Sequence, residues 1–269
     1  MSKILYFLRE ERWILSTKKA KNKLLSTAQQ YSDPPETLND RPFFDMDLDP
    51  DQKIFRDAIW DPNILAVVCN ARAGTGKTVI AVGVALLLYQ YSRYDGIVYI
   101  ISPTMEQKQG FIPGGPEDKN APYQQPLCEA LITLGLDPEH VIFSDDNYQD
   151  TKEGRAFIRF ISDTYLRGTN FENKVVIIDE AQNFYFNDLQ KDLTRIHDSC
   201  KTIIIGHDKQ CDIIKHPERS GFIPYLKAFG SIKGEDAKKV AICELKTNHR
   251  GWFSTFCDNI DIEGNILKY

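Results

Sequence analysis

A chain of 269 residues with a 42% hydrophobic share can bury one large core, and a net charge of −5 excludes nucleic-acid binding over its whole surface. The six cysteines, Cys69, Cys128, Cys200, Cys211, Cys243 and Cys257, form no C-x-x-C pair and no zinc-ligand spacing with histidine, which excludes a zinc ribbon and predicts free thiols. No apolar run reaches membrane-span length, and Ile4 to Leu8 passes straight into Arg9-Glu10-Glu11-Arg12, so no signal peptide or membrane partner is read and a cytoplasmic location is expected.

Roughly the first 30 residues read as mostly helical. They are basic: seven Lys or Arg up to Lys23 face only Glu10 and Glu11. Such an end is either a phosphate-backbone contact or a solvated helix face, and the solvated face is the commoner arrangement. Ser32-Asp33-Pro34-Pro35 breaks the helix and opens an extended acidic linker. The expected organisation is an extension and linker over 1–48 and a catalytic core over 49–269. Asp49-Pro50-Asp51-Gln52 reads as the start of a helix through Trp60. Gln52, at its entrance, is a candidate to hydrogen-bond an adenine edge. A solvent-facing helix residue fits the spacing equally well.

Ile64 to Val68 reads as a buried strand, and an apolar run from Val79 as a buried helix. Between them lies Ala71-Arg72-Ala73-Gly74-Thr75-Gly76-Lys77-Thr78. Gly74 and Gly76 allow a tight turn whose N–H groups point inward, and the helix dipole adds positive potential for a triphosphate. Lys77 is placed for the β- and γ-phosphates and Thr78 for Mg²⁺. The usual first glycine is replaced by Ala71, which is unstrained only if its φ is negative.

Gly96 to Ile101 is a second strand, ending at Ser102-Pro103-Thr104, and 105–121 reads as a long surface loop. A helix from about Pro122 to Leu134 follows, then short strands at His140 to Phe143 and Ala156 to Ile161. After Arg167-Gly168-Thr169, the buried strand Lys174 to Ile178 runs into Asp179-Glu180. An Asp at the carboxyl end of such a strand can hold Mg²⁺, and the adjacent Glu can orient and deprotonate an attacking water. Phe184-Tyr185-Phe186 either stack on bases or staple the next helix to the core, with the staple favoured. Thr202 to Gly206 and Val240 to Leu245 complete the strands. Gln210 follows the first of these as a γ-phosphate sensor candidate, and Arg250 precedes a helix carrying Trp252, Phe253 and Phe256. Strands alternating with helices predict a mostly parallel sheet flanked by helices.

From about Asp49 to Phe256 the chain resembles the PhoH family of P-loop ATPases, related to superfamily-one helicases. AGTGKT and IIDEAQN are shared widely. More diagnostic are GFIPGG (Gly110 to Gly115) with Glu117, Lys119, Pro122-Tyr123 and Pro126-Leu127, then Arg167-Gly168-Thr169 and Leu193-Thr194-Arg195-Ile196. The resemblance implies a RecA-like core using ATP and Mg²⁺, with Lys77, Thr78, Asp179 and Glu180 as its nucleotide and metal residues. It also implies Gln210 as sensor, Gln52 as an adenine contact and Arg250 as a γ-phosphate contact. Two places depart from the family: His207 stands where Asp usually follows the strand glycine, and aromatics follow AQN.

Single-stranded RNA or DNA is the expected partner, with Thr104, Arg167 and the 105–121 loop as candidate contacts. The alternative is a nucleotide-dependent switch controlling a protein partner. Only about 60 residues follow Gln210, too few for a second RecA-like domain, so translocation would need neighbouring copies in a ring.

Overall fold

The computed structural model describes residues 34–38, 43–102, 116–144, 155–162, 169–209, 211, 213, 217–260 and 266. Among the described residues the first helix is α1 (Pro50–Trp60). Asp49 Oδ1 accepts from Gln52 N at 2.8 Å and Gln52 Oε1 accepts from Asp49 N at 2.9 Å, a reciprocal cap that satisfies two orphan donors. Next come β1 (Ala66–Ala71), α2 (Lys77–Gln90), β2 (Ile97–Ile101), α3 (Pro116–Thr133), α4 (Pro138–Val141), β3 (Ile158–Ser162) and β4 (Val175–Ile178). The described chain continues through α5 (Phe186–Leu193), β5 (Lys201–Gly206), α6 (Phe222–Gly230), β6 (Val240–Leu245) and α7 (Trp252–Asp258).

The strands form one sheet in the order β3-β2-β4-β5-β1-β6, and every pairing within it is parallel. Period-two alternation sorts its side chains into two cores. Val67, Cys69, Tyr99, Ile177 and Ile203 face α1, α2 and α3, whereas Val68, Val98, Ile100, Val176, Ile178 and Ile204 face Phe184, Leu189 of α5 and Phe222 of α6. This three-layer RecA-like arrangement puts β5 between the strand that enters the glycine turn, β1, and the strand that ends in Asp179, β4. Ligand chemistry in such sheets gathers at the carboxyl ends of the strands. Among the described residues, no helix is long and apolar enough to cross a membrane.

Several expectations need correction. His140 to Phe143 is not a strand: Asp137 caps a single helical turn at Pro138, and only Ile142 bridges to Ile158. The 105–121 loop is shorter than read, because α3 begins at Pro116. The acidic linker is not uniformly extended. Met46 N donates to Phe43 O at 2.9 Å, and Phe43 is buried against α2, where its ring occupies the space a Cβ on Gly83 would need. The N-terminal extension up to Asp33 lies outside the described residues.

At the opposite end of the sheet from the glycine turn, Lys201 is 1% exposed. Its Nζ donates to the carbonyls of Asp61 and Ile64, and Arg93 Nη1 donates to Trp60 O at 2.9 Å. The two cations thus close the carboxyl end of α1, where carbonyls lack helical partners. Burial lowers the Lys201 pKa from 10.5 to about 8. Below that value both folded and unfolded states carry the charge and its burial penalty is present in full. As pH rises from about 8 towards 10.5 the folded chain loses the proton first, the unfolded chain binds more protons, and stability rises. Denaturant titrations of wild type and Lys201→Met should therefore diverge in favour of wild type by up to about 1.4 kcal/mol per pH unit in that window. A difference that stays flat with pH would contradict this account of Lys201.

Candidate functional site

β1 delivers the glycine turn to the carboxyl edge of the sheet. Ala71 is its last residue and is not among the positive-φ positions, so the absent glycine leaves no strain. Gly74 and Gly76 adopt φ of +73° and +75°, a left-handed backbone that glycine enters without a Cβ penalty. Thr75 Oγ1 donates to Arg72 O at 2.9 Å and locks the turn from inside. Gly76 is the N-cap of α2, so Lys77 and Thr78 occupy its first turn at the positive end of the dipole.

β4 delivers two carboxylates to the same place. Asp179 is fully buried, and its Oδ2 accepts from Thr78 Oγ1 at 2.7 Å and from Tyr99 Oη at 2.6 Å, while Oδ1 accepts from Glu180 N at 2.8 Å. Burial, joined by the Glu180 charge, raises the Asp179 pKa against the opposing pull of Lys77 and its two hydroxyl donors. Glu180 sits at φ 49° and ψ 45°, unusual for a residue with a side chain, and its Oε1 meets Lys77 Nζ at 3.0 Å. Burial disfavours its charge, but the Lys77 charge together with hydrogen bonds from Gln182 and Lys77 outweighs that and holds the Glu180 pKa below the ordinary value. Lys77 mirrors this: burial pulls its pKa down, and the two carboxylates carry it above the usual lysine value. The pair is ionised together.

Thr78 and Asp179 present only hard oxygen donors, the type Mg²⁺ prefers. Burial drives the Cys69 thiol well above its usual pKa. The residues present fit Mg²⁺ arriving with a phosphate ligand.

Gln52 lies at the turn with its amide already engaged. Nε2 donates to Thr75 O at 2.9 Å, Oε1 completes the α1 cap, and the residue is 6% exposed. In this structure it braces the glycine turn through one amide N–H and the carbonyl oxygen. The segment after β6 closes from the other side. His249 N donates to Gly74 O at 2.8 Å, and His249 Nε2 and Asp49 Oδ2 are 2.9 Å apart. A Cβ on Gly74 would stand 2.4 Å from Asn248 Oδ1 and 3.1 Å from the Arg250 Cγ, so Arg250 runs past the turn with its side chain exposed.

Gln210, Thr104, Arg167 and GFIPGG lie outside the described residues. The three aromatics divide: Phe184 is buried, Phe186 stacks on Tyr225 at 5.5 Å and ties α5 to α6, and Tyr185 is half open. Sequence reasoning gave no role to Tyr99 or Gln182 and noted His207 only as a departure from the family. Tyr99 was detectable as the one hydroxyl in an otherwise apolar strand, and Gln182 as a buried amide beside the acidic pair. Gln182 Nε2 donates to Glu180 Oε2 at 2.5 Å, and its Oε1 accepts from His207 N at 3.0 Å.

The family described as PhoH-like protein matches residues 47–249. A PhoH-like protein of Synechocystis sp. is 32% identical over 179 residues, which is 66% of this chain and 50% of that protein. Another from Mycobacterium tuberculosis is 31% identical over 196 residues, 72% of this chain and 51% of its own length. The chain thus spans about half the length of the curated relatives it matches. The Hef helicase domain of Pyrococcus furiosus aligns over 78% of this chain and 41% of its own, at a TM-score of 0.44 and 14% identity.

The bracing geometry of Gln52 separates two roles. Gln52→Ala should lower stability by about 1–2 kcal/mol through loss of the cap partner and the Thr75 bond. It should weaken ATP and GTP binding alike, as titration calorimetry would read. Loss of affinity for ATP alone, with stability unchanged, would instead make Gln52 an adenine reader.

Proposed function

This chain belongs to the PhoH family, and we propose that it binds ATP with Mg²⁺ and hydrolyses it, with hydrolysis coupled to single-stranded RNA or DNA. The observation that carries the reading is the contact set Lys77, Thr78, Asp179 and Glu180, in which a glycine-turn cation and hydroxyl meet two carboxylates at 3.0 Å and 2.7 Å. Thr78 and Asp179 would hold Mg²⁺, which when bound supplies charge neutralisation for the phosphates. Lys77 and the N–H groups of the turn bind the β- and γ-phosphoryl oxygens. Glu180, ionised and steadied by Gln182, orients a water and takes its proton as the water oxygen bonds the γ-phosphorus. The bond from that phosphorus to the β–γ bridging oxygen breaks, leaving ADP and phosphate. Arg250, exposed beside Gly74, can reach charge that develops on the transferred group.

Coupling to a nucleic-acid strand draws on Thr104 and Arg167 as contacts. A second reading, slow hydrolysis that switches a protein partner, is favoured by Trp252 and Phe253. They are 71% and 72% exposed just beyond Arg250, apolar surface of the kind protein partners cover.

Steady-state phosphate release separates these readings. Glu180→Gln should retain ATP binding while turnover falls by about 10²–10⁴-fold. A single-stranded oligomer should raise the wild-type rate, with an effect that shrinks as salt rises. Hydrolysis indifferent to every oligomer would favour the protein switch, and turnover unaffected in Glu180→Gln would remove Glu180 as the base.

A further inference from the structure

Residues 246–251 join β6 to α7 and cross the glycine turn, where His249 N donates to Gly74 O at 2.8 Å. Asn248 stands in the middle of this crossing and uses both ends of its amide within it. Its Oδ1 accepts from Arg250 N at 2.8 Å, and its Nδ2 donates to Ser254 Oγ at 2.8 Å. The first bond closes a local turn in which a side-chain carbonyl holds the backbone two residues further on. The second reaches a residue of α7, so the crossing and the start of that helix are tied into one piece. The helix needs such a tie. Its N-cap is Gly251, which has no side chain to hold the first turn and sits at φ +104°, a position around which the chain swivels easily.

The same amide is pressed against the glycine turn. A Cβ on Gly74 would stand 2.4 Å from Asn248 Oδ1 and 3.1 Å from Arg250 Cγ, so both side chains pass where position 74 has none. Asn248 is partly buried there, whereas Arg250 is exposed. A long exposed side chain is aimed from its backbone. For Arg250 that backbone is fixed by the bond from its N–H to Asn248 Oδ1.

We propose that Asn248 is a positioning residue for hydrolysis: it joins Arg250 N to Ser254 while lying against Gly74, and so keeps the Arg250 guanidinium beside the turn. This rests on the hydrolysis reading given above, in which Arg250 meets charge on the transferred group. Asn248 itself touches no reacting atom. It acts by removing conformations in which Arg250 points away from the turn, so its effect falls on turnover. Nucleotide affinity belongs to Lys77 and the N–H groups of the turn, which Asn248 leaves in place.

Steady-state phosphate release from ATP with Mg²⁺ by the full chain, together with calorimetric titration of an ATP analogue whose β–γ bridge is NH, tests this. Asn248→Ala should lower kcat about tenfold or more while affinity for the analogue stays within about twofold. Asn248→Ser, whose hydroxyl can accept from the same N–H more weakly, should restore part of the loss. Ser254→Ala removes only the anchor on α7 and should lower kcat about threefold. In an Arg250→Ala background, Asn248→Ala should lower turnover no further, because Asn248 works through Arg250. Normal turnover in Asn248→Ala, a loss of affinity equal to the loss of turnover, or a loss that returns undiminished in the Arg250→Ala background would overturn the role of Asn248. A wild type that releases no phosphate, or an Arg250→Ala chain as active as wild type, would instead overturn the reading of the site on which the proposal stands.

Discussion

Two carboxylates side by side at the end of a strand buried on both faces cannot both stay ionised without a cation. The contact between Lys77 and Glu180 meets that need, and much of the surrounding architecture follows from it. For Lys77 to arrive there, the chain must turn from β1 into α2 within five residues, which requires left-handed backbone at Gly74 and Gly76. For Asp179 to remain beneath it, hydroxyls from Thr78 and Tyr99 must replace the water it has lost. The strand between them, β5, then sets the width of the site and carries His207 to its edge. The same charge balance that holds the acidic strand to the turn makes the place fit a multiply charged anion and a divalent cation.

Segments distant in sequence hold the turn in shape. Gln52 supports it from α1 and His249 from beyond β6, while Asp49, the α1 cap, also pairs with His249. The glycine turn is thereby fixed by residues before and after nearly the whole sheet. A preorganised cradle of this sort needs little rearrangement when charge arrives. It also places Arg250 and the exposed aromatics of α7 within one short segment of the turn.

The strands were legible because a parallel sheet covered on both faces writes continuous apolar runs, as in Ile97 to Ile101 and Val175 to Ile178. The glycine turn and the acidic pair were legible because their chemistry needs those residue types in that order. The direction of Gln52 was not, since its partner Thr75 lies 23 residues further on and nothing local encodes the meeting. His140 to Phe143 misled because its apolar residues have β character, while the decisive signal, Asp137-Pro138, lies just upstream. α6 escaped reading because Phe222–Gly230 carries a proline and ends in glycine, yet packing of Phe222 over Gly206 holds it to the sheet. His207 could be seen in sequence only as a departure. Its burial, and an Nδ1 without a hydrogen-bond partner among the described residues, are consequences of tertiary structure.

The central claim is that the Lys77 and Glu180 site exists to bind and cleave a nucleoside triphosphate. Single-turnover release of phosphate from ATP with Mg²⁺, measured for wild type and Lys77→Ala at enzyme in excess, tests it most directly. The account predicts release by wild type and none above background in Lys77→Ala. Equal release by the two chains, or none by wild type, would contradict it.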